Sequence, residues 1–227
     1  MMDWIDVQWV IDEILTILET GHRASSAAYS TVAILDDDAG ISYGKHQATD
    51  RSGALDAVCW RYVDLQGEYA FALRSYLDEL ARDETIPIPH PPWVASLMVL
   101  LGQAGKDPIM QKCQDDVFDE LYWFPAINQA MAMGLVMPLS AAVVYDSFIQ
   151  GGFSTVRRRF PEVPPVRGGD EQEWVVAYLN ARRTWLAAGK SKSMRNSVYR
   201  PDAFLQLIAD NNWELKTPLA VRGVTIS

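Results

Sequence analysis

The sequence lacks an excess of basic residues and has no long apolar run. Its 227 residues include 20 Lys and Arg against 29 Asp and Glu, which gives a net charge of −9. Proteins that bind duplex nucleic acids need a basic surface, so we expect no nucleic-acid partner. The acidic balance is mildly favourable for a polycationic partner. The longest apolar stretch, WVASLMVLLG, is too short to cross a membrane, so no membrane span is predicted.

Cysteine is scarce, and histidine shows no pattern that would bind a metal. Cys59 and Cys113 lie in helix-like apolar patterns and are expected to be buried free thiols rather than a disulfide. His22, His46 and His90 lack metal-ligand spacing, and we expect them at the surface or rim of the protein. The sequence therefore predicts no metal and no cofactor.

The N-terminal segment lacks the features of a signal peptide. MMDWIDVQWV carries acidic residues where a signal peptide needs a basic region followed by an apolar one. We therefore expect synthesis in the cytoplasm without a signal peptide. If the substrate lies outside the cell, a signal-independent route must deliver the protein.

The apolar periodicity predicts a mainly α fold with one small antiparallel β-sheet. The β-branched YSTVAIL and the glycine-flanked GISYG predict a hairpin at about residues 29–46. Proline-rich segments near 83–93 and 160–170 cannot continue a helix and are expected to join two lobes of a single catalytic domain, residues 1–227. Helices are predicted for residues 7–18, 52–81, 93–101, 107–133, 138–150 and 173–188, with one short helix after residue 197.

Two carboxylates bracket the predicted hairpin. Glu19 lies at the end of the first predicted helix, just before Gly21, which can cap that helix. Asp37 follows eighteen positions later, in the turn DDDA. This spacing suits a helix, a loop and a hairpin whose tip returns to the helix end, so the two carboxylates would face each other across a gap.

This stretch resembles a known family of glycosidases. Glu19, Asp37 and the sequence Gly40-x-Ser42-x-Gly44 resemble the catalytic stretch of the chitosanases of glycoside hydrolase family 46, which has Gly-x-Thr-x-Gly after the same eighteen-residue step. Four further segments resemble the family and follow in its order: CQDDVFDELYWFPAINQAMAMGL, PLSAAVVYDSFIQGG, WVVAYLNARRTWL and YRPDAFLQLIADNNWELKTPLAV. The resemblance implies a two-lobed lysozyme-like fold with a substrate cleft between the lobes.

The resemblance also implies an inverting hydrolysis with two carboxylates. Glu19 would be the general acid and Asp37 the general base, with Asp38 as the alternative base. Ser42, which stands where the family has Thr, would help to hold the attacking water. Burial against apolar groups is expected to keep Glu19 protonated near neutral pH. Tyr43, Gly44 and Gln47 are implied as substrate-binding residues.

A charge network behind the acid is implied by three further residues. By motif position these are Asp146, Arg182 and Arg200, with Arg183 as the alternative to Arg182. Asp146 lies in the otherwise apolar stretch AAVVYDSFI, where an unpaired charge would be costly, so a partner arginine is expected on physical grounds as well. Most tryptophans are expected in the core, and Trp123 and Trp213 are candidates for the cleft.

Two departures from the chitosanase pattern favour a different glycan. Ala54 stands where the family has an acidic residue that binds the glucosamine ammonium, with Asp56 as an alternative carboxylate, and Gly151 stands where the family has His. GISYGKHQAT resembles a stretch of peptidoglycan hydrolases from phage and secretion systems, in the same lysozyme-like superfamily. The sequence therefore predicts a muramidase that cleaves β-1,4 linkages in peptidoglycan.

Two alternative functions remain open at this stage. The first is a chitosanase, and the second is a non-catalytic glycan-binding module on the same scaffold. We expect a monomer that acts at the periplasm or cell wall as an antibacterial effector or endolysin. Its delivery machinery and a cognate inhibitor are the expected protein partners.

Overall fold

The structure is a computed structural model that describes residues 4–35, 40–80 and 91–227. Its helices are α1 (Ile5–Thr20), α2 (Ala54–Asp64), α3 (Ala70–Arg74), α4 (Leu77–Leu80), α5 (Pro92–Ala104), α6 (Pro108–Phe118), α7 (Phe124–Ala132), α8 (Pro138–Ile149), α9 (Phe153–Arg157), α10 (Glu171–Ala187), α11 (Lys192–Asn196) and α12 (Tyr199–Ala209). Its strands are β1 (Val32–Leu35), β2 (Gly40–Tyr43), β3 (Ala48–Thr49), β4 (Leu219–Val221) and β5 (Val224–Ile226). The predicted mainly α fold with a small antiparallel sheet is confirmed.

The chain divides into two compact units. Unit 1 comprises Met1–Arg23 and Tyr122–Ser227, and unit 2 comprises Ala24–Leu121. The boundaries therefore do not coincide with the proline-rich segments expected as joints. Residues 160–170 lie inside unit 1, and most of the other segment lies outside the described residues.

The sheet of unit 2 is the predicted hairpin with one added strand. Its order is β1–β2–β3, and both pairs are antiparallel. In the first pair Val32 lies opposite Tyr43, and in the second Tyr43 lies opposite Ala48. Strand β3 has only two residues, too few for its alternation to be visible in the sequence. Asp37 and Asp38 lie outside the described residues.

The single helix predicted for residues 52–81 is wrong, because the structure has α2, α3 and α4 there. After α2, Gln66 adopts a left-handed φ of 54°, which ends the helix. A Cβ on Gly67 would approach the Tyr62 ring to 2.0 Å, so only glycine allows the chain to pass. The Tyr62 hydroxyl donates a hydrogen bond to Asp107 Oδ2 at 2.6 Å, which holds the ring in this place.

The helix predicted for residues 107–133 is also interrupted. It consists of α6, a π-helical turn at Asp119–Trp123, and α7. Pro125 near the start of α7 has no N–H, and in a continuous α-helix its ring would clash with the carbonyl four residues earlier. A wider π turn before the proline avoids that clash.

Unit 1 is built around α8. Residues 138–147 of this helix are all buried, and it packs against α1, α7, α10 and α12. The antiparallel hairpin β4–β5 packs against α1 and was not predicted. Its turn contains Arg222 and Gly223 with φ values of 51° and 80°, a left-handed pair that Asn-Gly usually signals in a sequence.

Candidate active site

Glu19 lies in the last turn of α1. The helix is capped by Gly21, whose φ is 78° and whose N–H donates to the Ile17 carbonyl at 2.9 Å. The apolar face of α1, with Ile14, Ile17 and Leu18, is buried in unit 1, and Glu19 lies off that face. The Glu19 side chain is 48% exposed, so the expected burial against apolar groups is wrong.

A chain of charges runs from Glu19 into the core of unit 1. Arg200 Nη1 lies 2.6 Å from Glu19 Oε1, and Arg200 Nε donates to Asp146 Oδ1 at 2.8 Å. On the far side, Arg182 Nη2 lies 3.4 Å from Asp146 Oδ2. The side chains of Arg182, Asp146 and Arg200 are only 1–2% exposed. We call these three residues the buried charge network.

Opposite charges on the arginines and on Asp146 stabilise the buried charge network. Burial by itself would lower the pKa of Arg200, but the carboxylates of Asp146 and Glu19 outweigh burial and raise it, so the guanidinium stays charged. Arg182 also donates to the carbonyl of Gly151 at 3.0 Å and to Gln150 Oε1 at 2.7 Å. Both acceptors belong to the two residues that directly follow α8.

Arg182, and not its neighbour, is the arginine of the network. Arg183 is exposed and pairs with Asp202 on α12, with Nε 2.6 Å from Oδ1. The two arginines point to different faces of α10, since successive helical residues are about 100° apart. The structure thus resolves the choice that the motif left open.

Ser42 and Gln47 form a second group of predicted site residues, in unit 2. Ser42 is buried in β2, and its Oγ donates to Gln47 Oε1 at 2.8 Å. Gln47 Nε2 in turn donates to the Gly44 carbonyl at 2.8 Å. Gln47 is exposed and therefore links the Ser42 hydroxyl to the surface. Tyr43 is fully buried in the core of unit 2, so its predicted contact with substrate is corrected to a packing role.

The turn after β2 rests on α6 through Gln114. Gln114 Oε1 accepts the Lys45 N–H at 3.1 Å, and Gln114 Nε2 donates to the Tyr29 carbonyl at 3.0 Å. Gly44, which was predicted to bind substrate, is buried beneath this amide and has a φ of 78°. A Cβ on Gly44 would lie 2.0 Å from Gln114 Oε1. The observed role of Gly44 is thus to admit the Gln114 side chain.

Gly44→Ala is expected to destabilise the protein more than Gly53→Ala. Both glycines have a left-handed φ, of 78° and 74°, in which alanine typically costs about 1–2 kcal/mol. Only at Gly44 would the new Cβ also displace the Gln114 amide, because nothing lies within 4 Å of the corresponding position at Gly53. Denaturant unfolding of both variants would measure the difference. Equal losses in the free energy of unfolding would contradict this account of Gly44.

His46 belongs to a polar cluster that sequence reasoning missed. Its ring stacks on Phe118 with centroids 4.0 Å apart, and its Nε2 lies 2.9 Å from Asp115 Oδ1. Asp115 also accepts from Lys45 Nζ at 3.2 Å and from the Tyr29 hydroxyl at 2.7 Å. With 14% of its side chain exposed, His46 does not lie at the open surface, and of the predicted surface or rim position only the rim remains. His22 is exposed as expected, and His90 lies outside the described residues.

The charges in this cluster shift the pKa values of its members. Burial lowers the pKa of His46, and the hydrogen bond with Asp115 opposes this only in part. Burial would raise the pKa of Asp115, but its bonds from His46 and the charge of Lys45 outweigh burial and lower it. Burial and the Asp115 hydrogen bond raise the pKa of Tyr29 to about 12. The cluster therefore holds a neutral imidazole beside a carboxylate near neutral pH.

Protonation of His46 is expected to destabilise the folded protein. Because its folded-state pKa lies below the ordinary value of 6.5, its contribution to stability is present above pH 6.5 and is lost as the pH falls through the folded pKa. Wild-type protein should lose up to about 1.4 kcal/mol of unfolding free energy per pH unit in this window. The pKa of Asp115 is lowered and that of Tyr29 is raised, so neither of these neighbours of the imidazole titrates in this window.

The measurement is denaturant unfolding at several pH values below 6.5. His46→Gln should show a smaller dependence on pH than the wild type, because it lacks the titrating ring. His22→Gln is the matched control, since that histidine is exposed. A pH dependence that His46→Gln leaves unchanged would rule out this histidine as its source.

The structure also bears on the sequence predictions for two tryptophans, the two cysteines, metal binding and membrane spans. Trp123 and Trp213 are buried, so their assignment to the cleft is wrong. Cys59 and Cys113 are buried free thiols, as predicted, and burial raises the pKa of each. In the described ranges no cluster of three or more His, Cys, Asp or Glu could hold a metal ion. Among the helices that the structure describes, none has the length and apolarity needed to cross a membrane.

Comparison with known proteins gives a consistent family assignment. The sequence profile of Glycosyl hydrolase family 46 matches residues 13–219. A chitosanase of Bacillus subtilis (strain 168) is 28% identical over 230 residues, covering 93% of this chain and 80% of that protein. A chitosanase of Streptomyces sp. (strain N174) is 30% identical over 217 residues, with 91% and 76% covered.

Solved structures lead to the same family. The complex of a Gynuella sunshinyii GH46 chitosanase with chitotetraose superposes with a TM-score of 0.80 and 26% identity, and the match covers 96% of each chain. This neighbour is consistent with the predicted lysozyme-like fold, and the predicted family is confirmed. The chain belongs to glycosyl hydrolase family 46 and is a glycosidase.

Proposed function

We propose that the chain is a chitosanase, which hydrolyses β-1,4 bonds between glucosamine units of chitosan. The relatives described above are chitosanases, and one of their structures holds chitotetraose. The net charge of −9 also suits a polycationic substrate better than the anionic wall polymer. Chitosan therefore replaces peptidoglycan, the substrate that the hairpin resemblance favoured.

The position of Ala54 weakens the sequence argument against chitosan. Ala54 is the first residue of α2, is only 5% exposed, and lines a small internal pocket with Val58, Val117 and Phe118. A side chain at this position packs into unit 2 and does not face solvent. The absence of a carboxylate at residue 54 is therefore a weaker argument against chitosan than the family pattern suggests.

Asp56 is the carboxylate in this region that best suits a glucosamine ammonium. It lies in the first turn of α2, and its Oδ1 has no hydrogen-bond partner among the described residues. Burial raises its pKa. An ammonium group beside the Asp56 side chain would supply an opposite charge, which favours the ionised carboxylate.

The buried charge network that ends at Glu19 is the observation that carries the proposed mechanism. Glu19, in its protonated form, donates that proton to the leaving glycosidic oxygen and becomes a carboxylate. Arg200, 2.6 Å away and fixed by Asp146, stabilises that carboxylate as it forms. The network thus acts on the charged product of proton transfer, which lowers the barrier of the step.

The base and the attacking water complete the proposed reaction. Asp37, with Asp38 as the alternative, takes a proton from a water that attacks the opposite face of the sugar and inverts the anomeric centre. The Ser42 hydroxyl, held by Gln47, is the proposed water ligand. Gln47 remains a proposed substrate-binding residue because its side chain is exposed. Comparison of Asp37→Asn with Asp38→Asn identifies the base, since only loss of the base should abolish turnover.

The substrate is tested by a paired assay. Wild-type protein should show a high kcat/KM on fully deacetylated chitosan oligomers and leave purified sacculi intact. NMR of the first products should show the inverted anomer. Lysis of sacculi with chitosan untouched would refute the proposal and restore the peptidoglycan hypothesis. A folded protein inactive on both substrates would instead support a glycan-binding module. A monomeric state, signal-independent delivery and a cognate inhibitor stay predictions.

A further inference from the structure

Unit 1 contains a basic groove that has no role in the proposed reaction. The groove has a volume of about 620 Å³ and is formed mainly by α9 and the proline-rich segment that follows it. Three of its lining residues are arginines, namely Arg157, Arg158 and Arg167. Its other walls are largely apolar and include Phe153 and Phe160. We call this feature the arginine groove.

The arginines of this groove have no carboxylate partners in the part of the chain that the structure describes. None of the described residues that line the groove is acidic, and no ion pair found among them includes these three side chains. Elsewhere in unit 1, Arg182, Arg183 and Arg200 each pair with an aspartate. A concentration of unpaired positive charge is thus unusual in a chain whose net charge is −9.

One wall of the groove is held in place by aromatic packing. The Arg157 guanidinium carbon lies 4.9 Å from the Phe160 ring centroid and 5.7 Å from that of Trp174. Such cation–π contacts restrict the side chain without neutralising its charge. Phe153 packs in turn against Tyr178 of α10, with centroids 5.6 Å apart. Arg157 is therefore positioned before any ligand arrives.

The opposite wall is fixed through the backbone. The Val166 N–H donates to the Met133 carbonyl at 3.0 Å, and the Arg167 N–H donates to the Pro164 carbonyl at 2.8 Å. Gly134 permits this close approach, since a Cβ there would lie only 2.9 Å from the Val166 nitrogen. Because both walls are already ordered, a ligand would lose little free energy to ordering of the groove.

We propose that the arginine groove binds a phosphate-bearing chain, either a linear oligophosphate or a polymer of phosphodiesters joined by short carbon linkers. Guanidinium groups bind phosphate bidentately, and three of them line this one concave surface. The apolar walls suit the CH₂ groups of the linkers in such a polymer. Chitosan is itself cationic and would be repelled here, so the groove is not a further part of the proposed substrate site. The groove would tether the glycosidase to a polyanion while its active site acts on a different polymer.

The test is calorimetric binding of tripolyphosphate and of poly(glycerol phosphate) at low salt. At least one of them should bind the wild-type protein, and Arg158→Gln and Arg167→Gln should each weaken that binding about tenfold or more, as loss of one charge-assisted contact does. Arg159→Gln is the matched control. Arg159 is also exposed and belongs to the same run of arginines, but it does not line the groove. Activity on chitosan oligomers should be unchanged in all three variants.

The two ligands also distinguish the source of the phosphate. Binding of tripolyphosphate alone would identify a free oligophosphate as the ligand, and binding of poly(glycerol phosphate) alone would identify a polymer. Absence of binding to both would overturn the proposal. So would an equal loss in Arg159→Gln, which would indicate a diffuse effect of charge. Tighter binding of polygalacturonate or of single-stranded DNA than of either phosphate ligand would assign the groove to another class of ligand and overturn it too.

Discussion

Glu19→Gln is expected to lower kcat on chitosan oligomers by at least about a hundredfold, the lower end of what general acid catalysis supplies. The amide cannot donate a proton to the leaving oxygen, although it has nearly the same shape as the acid. It can still accept a hydrogen bond from Arg200, whose charge remains paired with Asp146. Because Glu19 is half exposed, the melting temperature should change little. The variant should therefore be folded, able to bind substrate, and nearly inactive.

The matched control for this variant is Glu13→Gln on the same helix. Glu13 forms an ion pair with Arg23, with Oε2 3.0 Å from Nε, and has no role in the proposed reaction. Its replacement should leave kcat within about twofold, since surface pairs contribute little to the structure. Wild-type turnover by Glu19→Gln would refute Glu19 as the acid. Equal losses in both variants would point to a structural effect of α1 instead.

Asp146→Ala is expected to reduce stability and activity together. Asp146 is the carboxylate shared by Arg182 and Arg200 in the core of unit 1, and its side chain is 2% exposed. Its loss leaves Arg182 without a carboxylate and Arg200 with only the half-exposed Glu19, and breaking a buried pair typically costs about 3–5 kcal/mol. For a chain of this size that corresponds to a fall in melting temperature of about 6–20 °C. Arg200 would also lose its anchor, so that it would no longer be fixed beside Glu19.

Asp202→Ala is the control for the buried network. It breaks the exposed pair with Arg183, which should contribute less than about 1 kcal/mol, and it should leave activity unchanged. Asp146→Ala should therefore have a lower melting temperature and a lower chitosan turnover than Asp202→Ala. An Asp146→Ala protein as stable as Asp202→Ala would show that the two buried arginines are tolerated without the aspartate, which would contradict this account of the network. A stable Asp146→Ala protein with full activity would remove the network from the mechanism.

Sequence patterns predicted the secondary structure correctly where it depends on residues that are close together in the chain. The apolar periodicity of α1, its glycine cap at Gly21 and the hairpin strands β1 and β2 all depend on contacts within a few residues. The helix predicted for residues 52–81 failed because its break depends on the Tyr62–Asp107 hydrogen bond, which spans 45 positions. The spacing of apolar residues along the chain gives no information about such a long-range contact.

The residues of the candidate site could be found from the sequence, but their surroundings could not. Motif spacing identified Glu19 and the members of the buried charge network, whose pairs are separated by 36 and 54 positions. The role of Asp37 still rests on that spacing alone. The burial of individual side chains answers what motif spacing left open. Arg182 is enclosed whereas Arg183 is exposed, and Tyr43 packs into the core of unit 2.

The sequence by itself determined the family, the mainly α character and the types of charged residue that the chemistry needs, because these depend on composition and order along the chain. Only the tertiary structure decided how exposed each side chain is and which charge neutralises it. It left Glu19 half exposed beside Arg200 and placed His46 against Asp115. Burial and pairing are set by residues distant in sequence, and the free energies of charged groups depend on both.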